Sequence, residues 1–290
     1  MGKSSAAGLK LIIVTPLYRP LFDRDEQQAL IHLLHYLPDV PKALICPHRL
    51  EFNSKWFDRE PFPDNYFANV TGYNRLMLSA EFYDRFAAYD YVLIVQLDAL
   101  VLSSNIESFL QLNVDYMGAP WFKDQSQPEK GFLGAGNGGL SLRRVAACRQ
   151  ALNSAKLSVK RAIQLLGDWQ DEWMLDLQRD LPPMRLLKKI NFIRKTWTRG
   201  NHFIDQFEWN EDYFWALRVP FLVDNFRVAS VEQSLRFAFE MFPTYCLHHN
   251  NQQLPFGCHA WAKYDRAFWE PHLLPIDAIS VTLDKIVQFT

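Results

Sequence analysis

Cysteine, net charge and long apolar runs are what this sequence is short of, and each shortage removes a class of protein. Cys46, Cys148, Cys246 and Cys258 are scattered through 290 residues. With no CxxC pair among them, neither a zinc ribbon nor a disulfide-stapled secreted scaffold is expected, and the thiols read as reduced. Lys and Arg number 31 against 32 Asp and Glu. So even a balance leaves no global field to recruit nucleic acid, and an anionic partner must be met by a local cluster. No run approaches the roughly 20 apolar residues that cross a bilayer. The opening MGKSSAAG has no apolar signal core, and Ala6 stands where a myristoylation pattern needs Ser or Thr. A cytoplasmic protein is expected. No Gly/Ser-rich linker divides the chain, so residues 1–9 read as a flexible N-terminus and 10–290 as one domain.

What is present is apolar and aromatic: 49% of residues are hydrophobic and 14% are Phe, Trp or Tyr, enough for a large core with an aromatic-lined cleft. The run KLIIVT (Lys10 to Thr15) predicts a strand stopped by Pro16, followed by a helix from Asp25 to Tyr36 with Leu30, Leu33, Leu34 and Leu37 on one face. Ala43 to Cys46 predicts a second strand, Asn74 to Phe86 a second helix, and Tyr91 to Leu97 a third strand. The last shows no alternation, as a strand buried on both faces should. The order β-α-β-α-β favours a mostly parallel, Rossmann-like sheet flanked by helices. Further on, short strands are expected near Tyr116 to Ala119 and Leu140 to Leu142, with a long helix from about Arg143 to Leu166. Ser230 and Gln233 form a capping-box pattern that opens a helix running to about Glu240.

Open α/β sheets bind ligands at the carboxyl ends of their strands. Asp98 ends the most hydrophobic strand, where a carboxylate either holds a divalent cation bridging diphosphate oxygens or merely caps a nearby helix. The stretch GAGNGGLSL (Gly134 to Leu142) lacks the lysine of a phosphate loop and does not fit GxGxxG. Its glycines allow a sugar to lie against the backbone of Gly138 and Gly139, or form a plain tight loop. Glu211 and Asp212 sit at the start of a helical stretch, where the dipole favours their ionised forms. One of them either caps that helix or accepts a proton from a hydroxyl nucleophile. His259, in PFGCHAW, reads as a hydrogen-bonded structural histidine or as a ligand.

The stretches GYNRLMLSAEFYDRF, YDYVLIVQLDALVL, VDYMGAPW, GNGGLSLRR, NEDYFW and PFGCHAW together resemble a little-characterised family of bacterial glycosyltransferase-like proteins, in a match that runs from about Leu11 to Trp269. That family has a GT-A fold and is found among surface-polysaccharide genes. The resemblance implies transfer of a sugar from a nucleoside diphosphate donor, a UDP-sugar for preference, to a glycan or lipid-linked glycan, as in lipopolysaccharide assembly. It implies Asp212 as the base of an inverting reaction with Glu211 beside it, and Gly136, Asn137, Gly138 and Gly139 as the sugar loop. Thr15, Pro16, Tyr18 and Asp98 fall where such folds hold the nucleotide. Trp121 lines the acceptor side or belongs to the core. Asp98 would be the surviving carboxylate of a DxD-type motif that binds Mn²⁺ or Mg²⁺. Leu100 stands where the second acid belongs, and His259 is the candidate to replace it. The alternative is an inactive relative that binds carbohydrate or nucleotide.

Arg185 to Arg199 carries six cations and no acid, interleaved with Leu187, Ile190, Phe192, Ile193 and Trp197. Such a segment, if helical, suits peripheral contact with an anionic inner membrane or a diphosphate-linked lipid, or is a solvated basic face.

Overall fold

Apolar runs along the chain become a layered α/β body. The structure is a computed structural model that describes residues 8–154, 183–184, 186–187, 190–191, 194, 204, 207, 209–275 and 286–289. In chain order its strands are β1 (Leu11–Pro16), β2 (Lys42–Pro47), β3 (Phe52–Asn53), β4 (Asp58–Phe62), β5 (Tyr91–Val95), β6 (Leu100–Val101), β7 (Tyr116–Gly118), β8 (Pro120–Phe122), β9 (Phe132–Ala135), β10 (Leu140–Arg144), β11 (Ala238–Phe239), β12 (Gly257–Cys258) and β13 (Gln288–Phe289). The main sheet has six strands in the order β4-β2-β1-β5-β10-β7. β4, β2, β1 and β5 run parallel, and β10 is antiparallel to both its neighbours. The expected mostly parallel, helix-flanked sheet is the one found.

Both faces of the sheet are covered, which is why β1 and β5 carry no polar alternation. Leu11 and Ile13 point to one side, against Leu30, Leu33 and Leu34 of the helix Arg24–Tyr36. Ile12 and Val14 point to the other, against Leu76, Phe82 and Trp215. The first helix is fixed by a capping box: the Asp23 carboxylate accepts from the N–H of Asp25 and Glu26, and Glu26 accepts from the N–H of Asp23. Leu93 is fully buried between the layers, and its truncation to Ala is expected to cost about 2–5 kcal/mol.

Several expectations need correcting. The helix foreseen over Asn74 to Phe86 is two helices, Val70–Met77 and Ala80–Arg85, because the Ser79 hydroxyl caps the second by accepting from Phe82 N–H. Arg143 and Arg144 belong to β10, and the helix begins after them, at Val145–Ser154; its foreseen continuation lies outside the described residues. The helix opened by the Ser230 box ends at Phe237, since Ala238 and Phe239 turn extended and pair with β12. Residues 1–7 and much of the basic stretch 185–199 lie outside the described residues. Among the described residues, no helix is long and apolar enough to cross a membrane, and all four cysteines are buried and unpaired.

Beside the main sheet lies a three-stranded one, β11-β12-β6. β12 is its centre, parallel to β11 and antiparallel to β6. Gly257 is therefore a strand residue and not a turn. A Cβ there would meet the Leu100 carbonyl oxygen at 2.5 Å and Leu140 Cδ2 at 2.6 Å, so only glycine lets the strands close.

Candidate active site

Strand order reverses between β1 and β5: the chain builds β2 to one side and β5 to the other. The crevice outside the carboxyl ends of such a pair is where open α/β sheets place ligands. Gln96, Leu97 and Asp98 leave β5 at that end. β10 runs the opposite way, so the loop before it, Gly136 to Gly139, arrives there too, and the Gly139 carbonyl accepts from Gln96 N–H at 2.9 Å.

The small sheet brings the first cluster together. Glu240 follows β11, His259 follows the parallel β12, and Asp98 precedes the antiparallel β6, so all three emerge at one edge. His259 Nε2 lies 3.3 Å from Asp98 Oδ1 and 3.3 Å from Gln96 Oε1, and Nδ1 donates to Glu240 Oε1 at 3.0 Å. Burial alone would push the His259 pKa down, but the hydrogen bonds and charges of Asp98 and Glu240 outweigh it and raise the value to about 10. Burial likewise pushes the Asp98 carboxyl up, and the His259 contact more than reverses that, leaving its pKa lowered. Ala260, just after the histidine, has φ 50°; this left-handed residue turns the chain so that Trp261 N–H reaches the Asp98 carbonyl at 3.3 Å.

The chemistry of this donor set fits a divalent cation. Glu240 on Nδ1 fixes the tautomer that frees Nε2 for a metal, the usual carboxylate–histidine arrangement. On the Nε2 side the two oxygens at 3.3 Å match the separation of about 3 Å between adjacent ligands bound at right angles to one ion. Among the described residues no group of three or more His, Cys, Asp or Glu is arranged to hold an ion. Asp98, His259 and the Gln96 amide would thus share a cation with oxygens from a ligand.

The second cluster is buried. Glu211 is 3% exposed and its two oxygens accept from Arg143 Nη1 and Nη2 at 2.8 and 2.7 Å. Asp212, beside it, accepts from Tyr213 N–H at 2.8 Å and from Gly138 N–H at 3.2 Å. The expectation that a helix dipole keeps Asp212 ionised does not hold. Glu211 and Asp212 do open a helix, which runs from Glu211 through a π-helical stretch, Phe214–Arg218, to Leu222, but its end is buried, and burial, then the charge of Glu211, push the Asp212 pKa up to about 7 against the pull of those two N–H groups.

The glycine loop ties the clusters together. Asn137 Nδ2 donates to Glu240 Oε1 at 2.8 Å and Asn137 Oδ1 accepts from Gly139 N–H at 2.9 Å. A Cβ on Gly139 would stand 2.1 Å from the His259 ring, and one on Gly138 would stand 2.4 Å from Glu211 Oε1. A Cβ on Gly136 would meet Ala216 Cβ at 2.4 Å. Gly138 and Gly139 are thus close approaches between loop and clusters, and Gly136 is one between the loop and the helical stretch after Asp212. Trp121, half-buried on β8, stacks on Tyr213 with ring centroids 4.4 Å apart, next to Asp212. Thr15 is buried with no partner for its hydroxyl, Pro16 ends β1 buried, and Tyr18 is 52% exposed just past that strand. These three leave the same end of the sheet as Asp98.

Sequence reasoning missed Gln96, Glu240 and Arg143. Gln96 is the one polar residue closing an apolar strand, which is a readable signal. Glu240 and Arg143 were hidden by helix boundaries placed too far at one end and too early at the other.

No curated protein sequence matches the chain. Solved structures that align with it include the glycosyltransferase GlyE of Streptococcus pneumoniae TIGR4, 12% identical over 92% of this chain and 61% of that one, with a TM-score of 0.42. A glycosyltransferase involved in glycosylation of the major capsid of PBCV-1 aligns at 12% identity over 91% and 98% of the two chains, with a TM-score of 0.39. An active-site mutant of LgtC aligns at 15% identity over 86% of each, with a TM-score of 0.40. Likenesses this distant assign no residue a role. The sequence itself gives a closer placement, for residues 57–259 match a family model described as a protein of unknown function (DUF5672), and the chain belongs to that family.

Proposed function

We propose that this protein is a GT-A-like glycosyltransferase that moves a sugar from a nucleoside diphosphate donor, a UDP-sugar for preference, to a hydroxyl of a glycan or lipid-linked glycan in surface-polysaccharide assembly. The observation that carries the reading is Asp212: a buried carboxyl with a pKa near 7, tethered to a glycine loop at the carboxyl end of a mostly parallel sheet. A base works best when its pKa lies near the working pH.

In the inverting reaction Asp212 accepts the proton of the acceptor hydroxyl as its oxygen bonds to the anomeric carbon. The bond from that carbon to the diphosphate breaks on the opposite face, the diphosphate leaves with the electron pair, and the proton passes from Asp212 to solvent. Gly138 and Gly139 leave room for the sugar against the backbone, and Trp121 with Tyr213 presents an aromatic face to the acceptor. Tyr18, exposed past β1, is placed to stack on the nucleotide base. Asp98, His259 and Gln96 would hold Mn²⁺ or Mg²⁺, which when bound neutralises charge on the leaving diphosphate. Glu240 keeps the His259 ring oriented for that purpose.

The test is Asp212→Asn assayed with a panel of nucleotide sugars. Transfer is expected to fall by about 10²–10⁴-fold with donor affinity kept; an unchanged rate removes Asp212 from the mechanism. A second reading, a sugar- or nucleotide-binding relative without turnover, is favoured by Leu100, which is fully buried in β6 where a second metal carboxylate is expected. Donor binding with no turnover in the wild type across the panel decides for it.

A further inference from the structure

Arg143 has no part in the chemistry above, yet it is the most constrained cation among the described residues. It is fully buried on β10, the strand next to β5. Its Nη1 and Nη2 donate to the two oxygens of Glu211, Nη1 also faces the Tyr83 hydroxyl at 3.2 Å, and Nε donates to Ser141 Oγ at 3.0 Å. Ser141 Oγ in turn donates to the Gly138 carbonyl at 2.9 Å. The guanidinium lies 5.3 Å from the centre of the Tyr116 ring, and the Tyr116 hydroxyl donates to the Gly136 carbonyl at 2.7 Å. One side chain thus braces, through a planar fork, the residue before Asp212 and, through Ser141 and Tyr116, both ends of the loop that Asp212 touches.

Stability alone is a poor reason for such a pair. Burying a guanidinium and a carboxylate costs about as much as their attraction returns, and apolar residues of like volume often serve as well. A fixed bidentate fork does something apolar packing cannot: it sets the orientation of one carboxylate and of the backbone turn that carries it, beside Asp212.

We propose that Arg143 and Glu211 are a positioning pair for Asp212: the fork holds Glu211 so that its charge faces Asp212 and so that Asp212 stays seated on Gly138. The inference rests on Asp212 being the functional carboxyl, as in the reading above. The charged and titratable groups around Asp212 are Glu211 on its own turn, Arg143 on β10, Tyr116 on β7 and Glu240 after β11. Glu211 is the nearest of the anions, and removing it leaves Asp212 easier to ionise.

The experiment compares the full-length protein with Arg143→Met/Glu211→Met, each with and without Asp212→Asn, by thermal unfolding from pH 4 to pH 9. In the parent, Asp212→Asn should stabilise increasingly as pH rises toward 7, because the folded chain must ionise a buried carboxyl that titrates near 3.8 when unfolded. Without the pair, that gain should level off at least about one pH unit lower. This readout needs no substrate, so it can fail while the transferase reading stands, and the reverse. Arg143→Lys supplies the second arm, since it keeps the charge and loses the fork. It should shift the acid limb of the donor-turnover pH profile and lower kcat at least about tenfold with donor KM unchanged. If the pair-less protein does not fold, Glu211→Gln takes its place in the unfolding series. Identical pH dependence with and without the pair, or Arg143→Lys turning over donor like the parent, overturns the proposal.

Discussion

The two clusters that flank the glycine loop are built from the same materials and end in opposite states. In one, a histidine stands between Asp98 and Glu240 and its pKa rises to about 10; in the other, Asp212 stands beside Glu211 and its pKa rises to about 7. Burial acts on both, disfavouring charge in each case, and the neighbours of both are carboxylates; the difference lies in the group they surround, a base that is cationic when protonated or an acid that is neutral when protonated. Two carboxylates around an imidazole favour the proton through attraction. A carboxylate beside a carboxyl favours the proton through repulsion, and Arg143, which might have relieved it, is already engaged by Glu211. On the reading proposed above, one cluster would therefore hold a cation, a proton in the absence of any other, while the second would take a proton from something else.

The contrast can be broken at its strongest point first. If Asp212 is the base, kcat/KM for transfer should rise about tenfold per pH unit below pH 7 and level off above it, and Asp212→Asn should abolish that limb along with most of the rate. Stability should run the other way. A carboxyl with a raised folded pKa stabilises fully below its unfolded value and loses that contribution as pH rises through about 7. Asp212→Asn should then be the more stable protein at pH 8, by up to about 4 kcal/mol, in calorimetry. Of comparable size, Arg143→Met alone should destabilise by about 3–5 kcal/mol in urea unfolding, because it strands the Glu211 carboxylate in the core without its partner. At the other cluster, Glu240→Gln should weaken Mn²⁺ binding in the presence of UDP by about 10–100-fold by isothermal calorimetry, while leaving the Asp212 pH limb in place. The smallest effect expected is Gly139→Ala, about 1–3 kcal/mol of overpacking against the His259 ring. Its signature would be a loss of cation affinity larger than the loss of stability, measured on the same sample.

The parallel sheet was readable because unbroken runs such as YVLIVQL have few other uses in a chain of this composition. Asp98 was readable from its place after a buried strand, whereas His259 as its neighbour came only through the family resemblance, since the residues alone left it a structural histidine or a ligand. Glu240 was not readable, since it follows a two-residue strand that continues a helical pattern without a breaker; only pairing with β12 ends that helix, and pairing is a tertiary event. Arg143 was lost to a similar ambiguity. LSLRR fits a helix start as well as a strand end, and what decides for the strand is registry against Leu93 and Met117. The dipole argument for Asp212 assumes an exposed helix end, whereas this one is packed beneath the loop and holds a second carboxylate.

The small sheet carries a consequence for how the protein is made. Its outer strands, β6 and β11, are each two residues long and both pair with β12, which leaves the ribosome last of the three. Long-range pairings of this kind are slow to close, because the loop entropy is lost before any bond is gained. The proton-accepting cluster has all its side chains in hand once Asp212 has emerged. The His259 cluster has Asp98, Gln96, Glu240 and Asn137 ready and still lacks its histidine until β12 slots between β11 and β6. A nascent chain halted before Gly257 would hold Asp212 and Glu211 and lack His259, so, on the reading proposed above, the capacity to hold a cation should appear only after β12 has paired.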